Sequence, residues 1–372
     1  MRVKLFAVLV PLACVAGSAE LRAQSTAPPP GHDADCALLD GVNEGPETDI
    51  TACAKSLLNR QSLINTSTTI RKIIVDRFDI GPNQTEPAGL ELTDPAEILQ
   101  RLSGSTGISI APTADAAAPA AKPKWNVWVD GKYSWLNDTS DYSNLDGSLE
   151  NLVVGADYKF SDRLVLGLMG TYETSDLKGD GFLPPTQKTD GWGGGAYMGL
   201  TLTDNLVLSA NVLETSLNTN VNDGSVRFNS DRVQASGALT GYWYSGTWRY
   251  SPSLTVAWSK EWQNGSSGYN DQTIETATLS PGLQIGDSIS IGGASTVEPW
   301  LGAQLDWAAI NKVREDGVGT ILDDPSTDLR LQAGLNFAFG ANAQLALTGE
   351  ISGLLLEDSD TYTAGANFAY QF

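Results

Sequence analysis

Over the C-terminal two-thirds of the chain, apolar and polar residues alternate one for one. In the last stretch Tyr362, Ala364, Ala366, Phe368, Tyr370 and Phe372 hold the even positions, and Thr361, Thr363, Gly365, Asn367 and Gln371 the odd ones. A period of two over a dozen residues predicts a β-strand with one apolar and one polar face. The same alternation sets Trp125, Val127, Val129, Tyr133 and Trp135 against Asn126, Asp130, Lys132 and Ser134. It recurs with Leu329, Leu331, Leu335, Phe337 and Phe339 against Arg330, Gln332 and Asn336, and with Leu345, Leu347 and Ile351 against Gln344, Thr348 and Glu350. Twelve such runs can be marked, and their connections alternate in length. Short turns are predicted at Ser161-Asp162, Thr203 to Asn205, Ser245-Gly246, Gly286-Asp287 and Gly340 to Asn342, with Gly292-Gly293 a second place for the fourth. Longer polar segments run from Asn137 to Ser148, Thr174 to Thr189, Leu217 to Phe228, Gln263 to Asp271 and Asn311 to Thr327, with a shorter one from Leu356 to Asp360.

An even number of strands, tight turns on one rim and long loops on the other are the signature of a transmembrane antiparallel β-barrel of an outer membrane. Short turns then face the periplasm, as do both ends of the barrel. In hydrocarbon an unpaired strand edge is untenable, so the first strand must pair with the last. The competing fold, a soluble β-sandwich, would leave the aromatic strand ends and the rim asymmetry unexplained.

The segment before the barrel differs in kind. Arg2 and Lys4 precede an apolar run from Leu5 to Gly17, with small residues at Ala19 and Ala23, so residues 1–23 read as an export signal. Residues 24–111 read as a small N-terminal module or short passenger, 112–123 as an Ala/Pro-rich linker, and 124–372 as the barrel. The N-terminal region contains an amphipathic helix with Ile50, Cys53, Ala54, Leu57 and Leu58 on one face, and a second helix from Asp94 to Gly104. Once the signal with Cys14 is removed, Cys36 and Cys53 remain, and in an oxidising compartment they are expected to form a disulfide.

Composition narrows the chemistry. Of 372 residues, 23 are Lys or Arg and 44 Asp or Glu, a formal charge of -21 that argues against nucleic acid as a partner. The one histidine, His32, precedes the barrel, which leaves barrel hydrolases that use a His base without their catalyst. No catalytic, metal or cofactor site is therefore assigned, and the chain is expected not to be an enzyme. Inward parity carries Asp130, Lys132, Asp157, Lys159, Arg232, Arg249, Glu298, Asp306, Arg330 and Glu350. This mixed-sign set reads first as a mutually satisfied lumen network, second as a selective constriction for small solutes, and last as a catalytic pair. Asp138, Asp141, Asp146, Asp176, Asp180, Asp316, Asp323 and Asp324 crowd the longer connections without EF-hand spacing, and read as solvated surface ahead of cation sites.

The stretches Trp125 to Tyr133 (WNVWVDGKY), Leu152 to Phe160 (LVVGADYKF), Leu164 to Tyr172 (LVLGLMGTY), Val297 to Gly302 (VEPWLG) and Phe368 to Phe372 (FAYQF) resemble the autotransporter β-domain, a twelve-stranded outer-membrane translocator. The resemblance covers Lys124 to Phe372. It implies insertion by the barrel assembly machinery, reading the terminal strand with Phe368, Tyr370 and Phe372, and contact with outer-membrane lipid and lipopolysaccharide as a monomer. It also implies secretion of an N-terminal passenger, although residues 24–123 are neither long nor repetitive as family passengers usually are. Members commonly thread a helix through the lumen just before the first strand. Here Pro119 and Pro123 break such a helix, so the expected occupant is an extended linker or the barrel's own side chains. The alternative function is a non-secreting structural or channel-like barrel whose extension stays in the periplasm.

Overall fold

A computed structural model of the chain describes residues 46–78, 123–139, 145–179, 186–265, 270–292, 294–323, 325–340, 342–356 and 359–372. The export signal, His32, Cys36, the predicted helix from Asp94 to Gly104 and residues 112–122 lie outside them.

One antiparallel sheet closes on itself. Its strands are β1 (Trp125–Asp138), β2 (Leu145–Ser161), β3 (Leu164–Gly179), β4 (Thr186–Thr203), β5 (Leu206–Val221), β6 (Val226–Gly241), β7 (Trp243–Ser245), β8 (Trp248–Gln263), β9 (Gln272–Asp287), β10 (Ile289–Gly292), β11 (Ser295–Glu315), β12 (Gly319–Asp323), β13 (Ser326–Phe339), β14 (Ala343–Ser352) and β15 (Ser359–Gln371). Three are continuations of a neighbour: β7 prolongs β6, β10 prolongs β9, and β12 leads into β13, giving twelve staves. Closure is made by β1 against β15, from Asn126 opposite Gln371 to Asp138 opposite Ser359.

Outside, apolar side chains face what must be lipid. Aromatic residues mark two belts, with Trp125, Trp248 and Phe372 toward the short-turn rim and Trp135, Trp192 and Trp262 toward the other. Ten residues separate Trp125 from Trp135, about 33 Å along a strand and roughly 25 Å along the normal at a usual tilt. That matches the apolar band of an outer-membrane barrel.

Two expectations are corrected. The turn expected at Gly286-Asp287 lies instead between Gly292 and Ser295, because β10 keeps the register of β9 against β11 and the chain reverses only where Gly292 takes φ 112°. Most of the polar segments read as long loops are strand: β3 and β4 pair out to Lys178 opposite Thr186, and β5 and β6 out to Val221 opposite Val226. Beyond the bilayer the outer face meets water in place of lipid, so it no longer has to be apolar and the alternation fades while backbone pairing continues.

Within the barrel, residues 46–77 form the helix α1 (Pro46–Arg77). Its 32 residues span about 48 Å at 1.5 Å per residue, enough for the full height of the wall. Pro46 opens it, where a missing N–H costs nothing, and Arg77 faces the negative end of its dipole. Among the described residues the lumen thus holds a helix, where an extended linker or the barrel's own side chains were expected. Pro119 and Pro123 lie well beyond α1, so they never interrupt it. The helix is not amphipathic in the expected sense either: no residue from 54 to 78 is exposed, because the wall surrounds it.

Inward aromatics fold across glycines on the next strand. Trp128 stands opposite Gly155, Tyr197 opposite Gly167 and Trp300 opposite Gly334. A Cβ at any of these glycines would overlap the ring facing it. Overpacking such a site costs about 1–3 kcal/mol. Gly155→Val is therefore expected to lower the temperature at which the purified barrel loses its folded gel mobility, and adding Trp128→Ala to recover part of the loss.

Candidate functional site

The candidate site is the lumen and the helix it encloses. Near the short-turn rim the contact is apolar. Ile70, Ile73, Ile74 and Phe78 bury against Trp128, Val165, Met169, Tyr197 and Val207. Gly199 permits this approach, since a Cβ there would sit 2.5 Å from Ile74 Cγ2 and 3.0 Å from Phe78 Cε2. Trp128 and Tyr197, absent from the expected lumen set, are central here. Their signal was the inward parity of Trp128 between Asn126 and Asp130.

Below this seat Arg77 ties helix to wall. Its Nε donates to Asp157 Oδ1 at 2.6 Å, NH1 to Gln371 Oε1 at 2.8 Å and NH2 to the Lys124 carbonyl at 2.7 Å. The second Asp157 oxygen accepts from Asn126 Nδ2 at 2.9 Å and from the Tyr197 hydroxyl at 2.8 Å, which itself accepts from Trp128 Nε1 at 2.6 Å. One buried carboxylate thus joins α1 to β1, β2 and β4.

Higher in the lumen the contact is polar. Arg232 NH2 donates to Glu173 Oε2 at 2.5 Å and to Ser62 Oγ at 3.1 Å, while Ser62 Oγ donates to Glu173 at 2.8 Å. Lys55 stands 3.5 Å from Glu261 and bonds Gln263. Thr69 donates to Asp130 at 2.7 Å, and Lys132 Nζ to the Asn65 carbonyl at 2.7 Å. Asn65 also reaches Asn151 at 2.6 Å, and Asn59 accepts from Ser259 at 2.6 Å. At the long-loop rim Ala54 and Leu58 pack on Leu145, Leu149 and Leu177.

The remaining inward charges pair along the wall. Arg330 donates to Asp306 at 2.6 Å and stands 3.3 Å from Glu350, and Arg249 NH2 donates to Glu298 at 2.5 Å. Asp130, Asp157, Arg232 and Lys132 thus meet α1, whereas Arg249, Glu298, Asp306, Arg330 and Glu350 bond chiefly to one another and to neighbouring polar groups. Phe368, Tyr370 and Phe372 point outward and stay exposed. Cys53 lies in α1, and its proposed partner Cys36 is outside the described residues. Of the acidic loop residues, Asp146, Asp316 and Asp323 are exposed, Asp176 stands 3.6 Å from Lys188, and Asp138 is buried. Asp141, Asp180 and Asp324 are outside the described residues. Among the described residues no cluster of three or more His, Cys, Asp or Glu is placed to hold a metal ion.

A closed barrel with an apolar outer band and a polar lumen filled by a helix defines an integral outer-membrane protein of a Gram-negative bacterium. The chain belongs to the autotransporter β-domain family, whose model matches residues 127–350. Among solved structures it is similar to the beta domain of the Bordetella autotransporter Brka, at 17% identity and TM-score 0.53 over 67% of this chain and 100% of that one. It is also similar to the translocator domain of NalP from Neisseria meningitidis (11%, 0.52, over 74% and 96%) and to the transport unit of AIDA-I from Escherichia coli (12%, 0.52, over 74% and 98%). A search of curated proteins found no match.

Removing one partner of a buried ion pair costs about 3–5 kcal/mol, because the other is left uncompensated. Asp157→Ala is therefore expected to loosen the lower end of α1, raising the rate of tryptic cleavage at Arg71 and Arg77 in the purified protein at least tenfold. Joint replacement by Arg77→Met and Asp157→Leu, which removes the site at 77, is expected to restore much of the protection at Arg71.

Proposed function

We propose that the barrel exports a short N-terminal extension and holds it at the outer face of the membrane through α1. The supporting observation is the direction of the helix. Its N-terminal end packs at the long-loop rim through Ala54 and Leu58, and its C-terminal end reaches the short-turn rim through Arg77 and Phe78. Short turns of outer-membrane barrels face the periplasm. The chain before Pro46 then leaves through the outer rim, and the segment joining α1 to β1 belongs to the periplasmic side. An extension retained in the periplasm would need α1 to run the other way.

We read the molecule as a transport unit and not an enzyme. In support, the only histidine precedes the barrel, and the buried carboxylates of Asp130, Asp157, Glu173, Glu261 and Asp306 are bound to arginine, lysine or hydroxyl groups. Lipid and lipopolysaccharide are its surroundings in this reading, and a monomer its state. The assembly machinery would meet Phe368, Tyr370 and Phe372 on the outer face of the closing strand. A Cys36–Cys53 disulfide would brace the chain where it enters α1.

Two epitope tags test the direction. A tag near Gly41 is expected to be reached by antibody on intact cells, and a tag near Gln84 only after the outer membrane is permeabilised, with a tag in the 180–185 connection as the surface control. If the Gly41 tag is reached only after permeabilisation, the extension is periplasmic and the molecule is a structural or channel-like barrel.

A further inference from the structure

The helix fills the lumen unevenly. Thr68, Arg71, Lys72, Val75 and Asp76 recur at the spacing of one helical face and, with Leu57, are the least buried residues between 54 and 78. That face fronts a cavity of about 460 Å³, walled on the far side by β7, β8, β11, β13 and β14 and reaching the short-turn rim at Ser288 and Thr296. The volume suits a small organic molecule.

Charges around the cavity balance in number, with Arg71, Lys72, Lys132 and Arg249 against Asp76, Asp130, Glu298 and Glu350. Lys72 pairs with Asp76 at 2.7 Å and Arg249 with Glu298 at 2.5 Å, while Glu350 stands 3.3 Å from Arg330, which is itself bound to Asp306 at 2.6 Å. Asp130 accepts from Thr69 and stands two residues from Lys132 on the inner face of β1, where Lys132 also bonds Thr68 at 2.5 Å. Among the described residues the one hydrogen bond of Arg71 is to the Ser253 hydroxyl, at 2.8 Å, with Tyr242 and Glu350 near enough to act on its charge. A guanidinium carries five N–H donors, so most of its fork is open to the cavity.

We propose that this cavity binds a small free organic oxyanion, a carboxylate or phosphate compound entering from the short-turn side, with Arg71 as its anchor. The planar guanidinium fork matches the two oxygens of such a group. Seclusion from bulk water strengthens the attraction. The barrel wall separates the cavity from lipid, so the ligand is a dissolved one. The chain as a whole carries -21, so a retained anion must be held by this local cation and not by the general field.

The test is calorimetric titration of the full chain in detergent micelles with succinate and, separately, inorganic phosphate. Saturable binding of at least one is expected, weakened at least tenfold in Arg71→Gln and partly kept in Arg71→Lys. Preference for one probe assigns the carboxylate or the phosphate class. Ser253→Asp keeps Arg71 but sets a carboxylate against it, and is expected to abolish binding as well. This variant decides the matter if Arg71→Gln loses the folded gel mobility. Absence of saturable binding to the wild-type chain, or wild-type affinity in either folded variant, would overturn the proposal. The outcome is independent of which side the extension occupies.

Discussion

Everything in this molecule depends on the pairing of its two barrel ends. Trp125 N–H donates to the Phe372 carbonyl and Phe372 N–H to the Trp125 carbonyl, both at 3.0 Å, and the ladder then runs unbroken up β1 and β15. In hydrocarbon each unmet backbone group costs several kcal/mol, so the sheet has no stable form with this seam open. Closing twelve staves has a geometric consequence. Side chains fill the interior of roughly eight strands, and a wider ring leaves a space that water or another element must occupy.

The nature of that occupant follows from strand parity. Lipid takes the apolar residues of every stave, so the polar set is left to line the lumen, with Asn126, Asp130, Asp157, Glu173, Arg232 and Glu261 among them. An apolar helix would strand those groups without partners. The enclosed α1 instead brings Asn59, Ser62, Asn65, Thr69 and Arg77, each bonded to the wall. Buried pairs such as Arg77–Asp157 are weak evidence of net stability, since desolvation offsets their attraction. Their directional hydrogen bonds do fix which residue of α1 faces which stave.

The same physics explains what could be read in the chain beforehand. Period-two alternation made the barrel legible, because each stave has lipid on one side only. Where that asymmetry ends, so did legibility: the paired extensions of β3 to β6 above the membrane look like loops, and Ser288 with Gly292 obscures how far the stave of β9 runs. The helix was harder for a deeper reason. Sequence searches for helices look for an apolar stripe at a period of 3.6 residues, which assumes one face on a core and one in water. A helix encircled by a polar wall has no such stripe. Within LNRQSLINTSTTIRKII every polar residue but Thr68, Arg71 and Lys72 is buried alongside the apolar ones, and in α1 Asn59, Thr69 and Arg77 are at most 2% exposed. The partial stripe at Ala54 and Leu58 was legible only because Leu145, Leu149 and Leu177 form a local apolar patch at the rim.

The position of the cavity follows from the way α1 is held. A helix with its side chains is about 10–12 Å across, and a lumen wider than that admits it centred or to one side. Apolar contact is available along only part of the wall, where Val165, Met169, Tyr197 and Val207 face inward on β3, β4 and β5 and Gly199 clears room for Ile74 and Phe78. Burial of Ile70, Ile73 and Ile74 there draws the lower half of the helix off the axis. The opposite staves, β8, β9, β11, β13 and β14, present Arg249, Gln284, Glu298, Gln332 and Asn336 across a gap that on the helix side only Arg71 bridges, to Ser253. Higher up, Lys55, Ser56 and Arg60 do span it, reaching Gln263, Asn311 and Ser326. The hollow is therefore confined to the short-turn half, where the apolar seat pulls α1 toward one wall and leaves Arg71 facing the other.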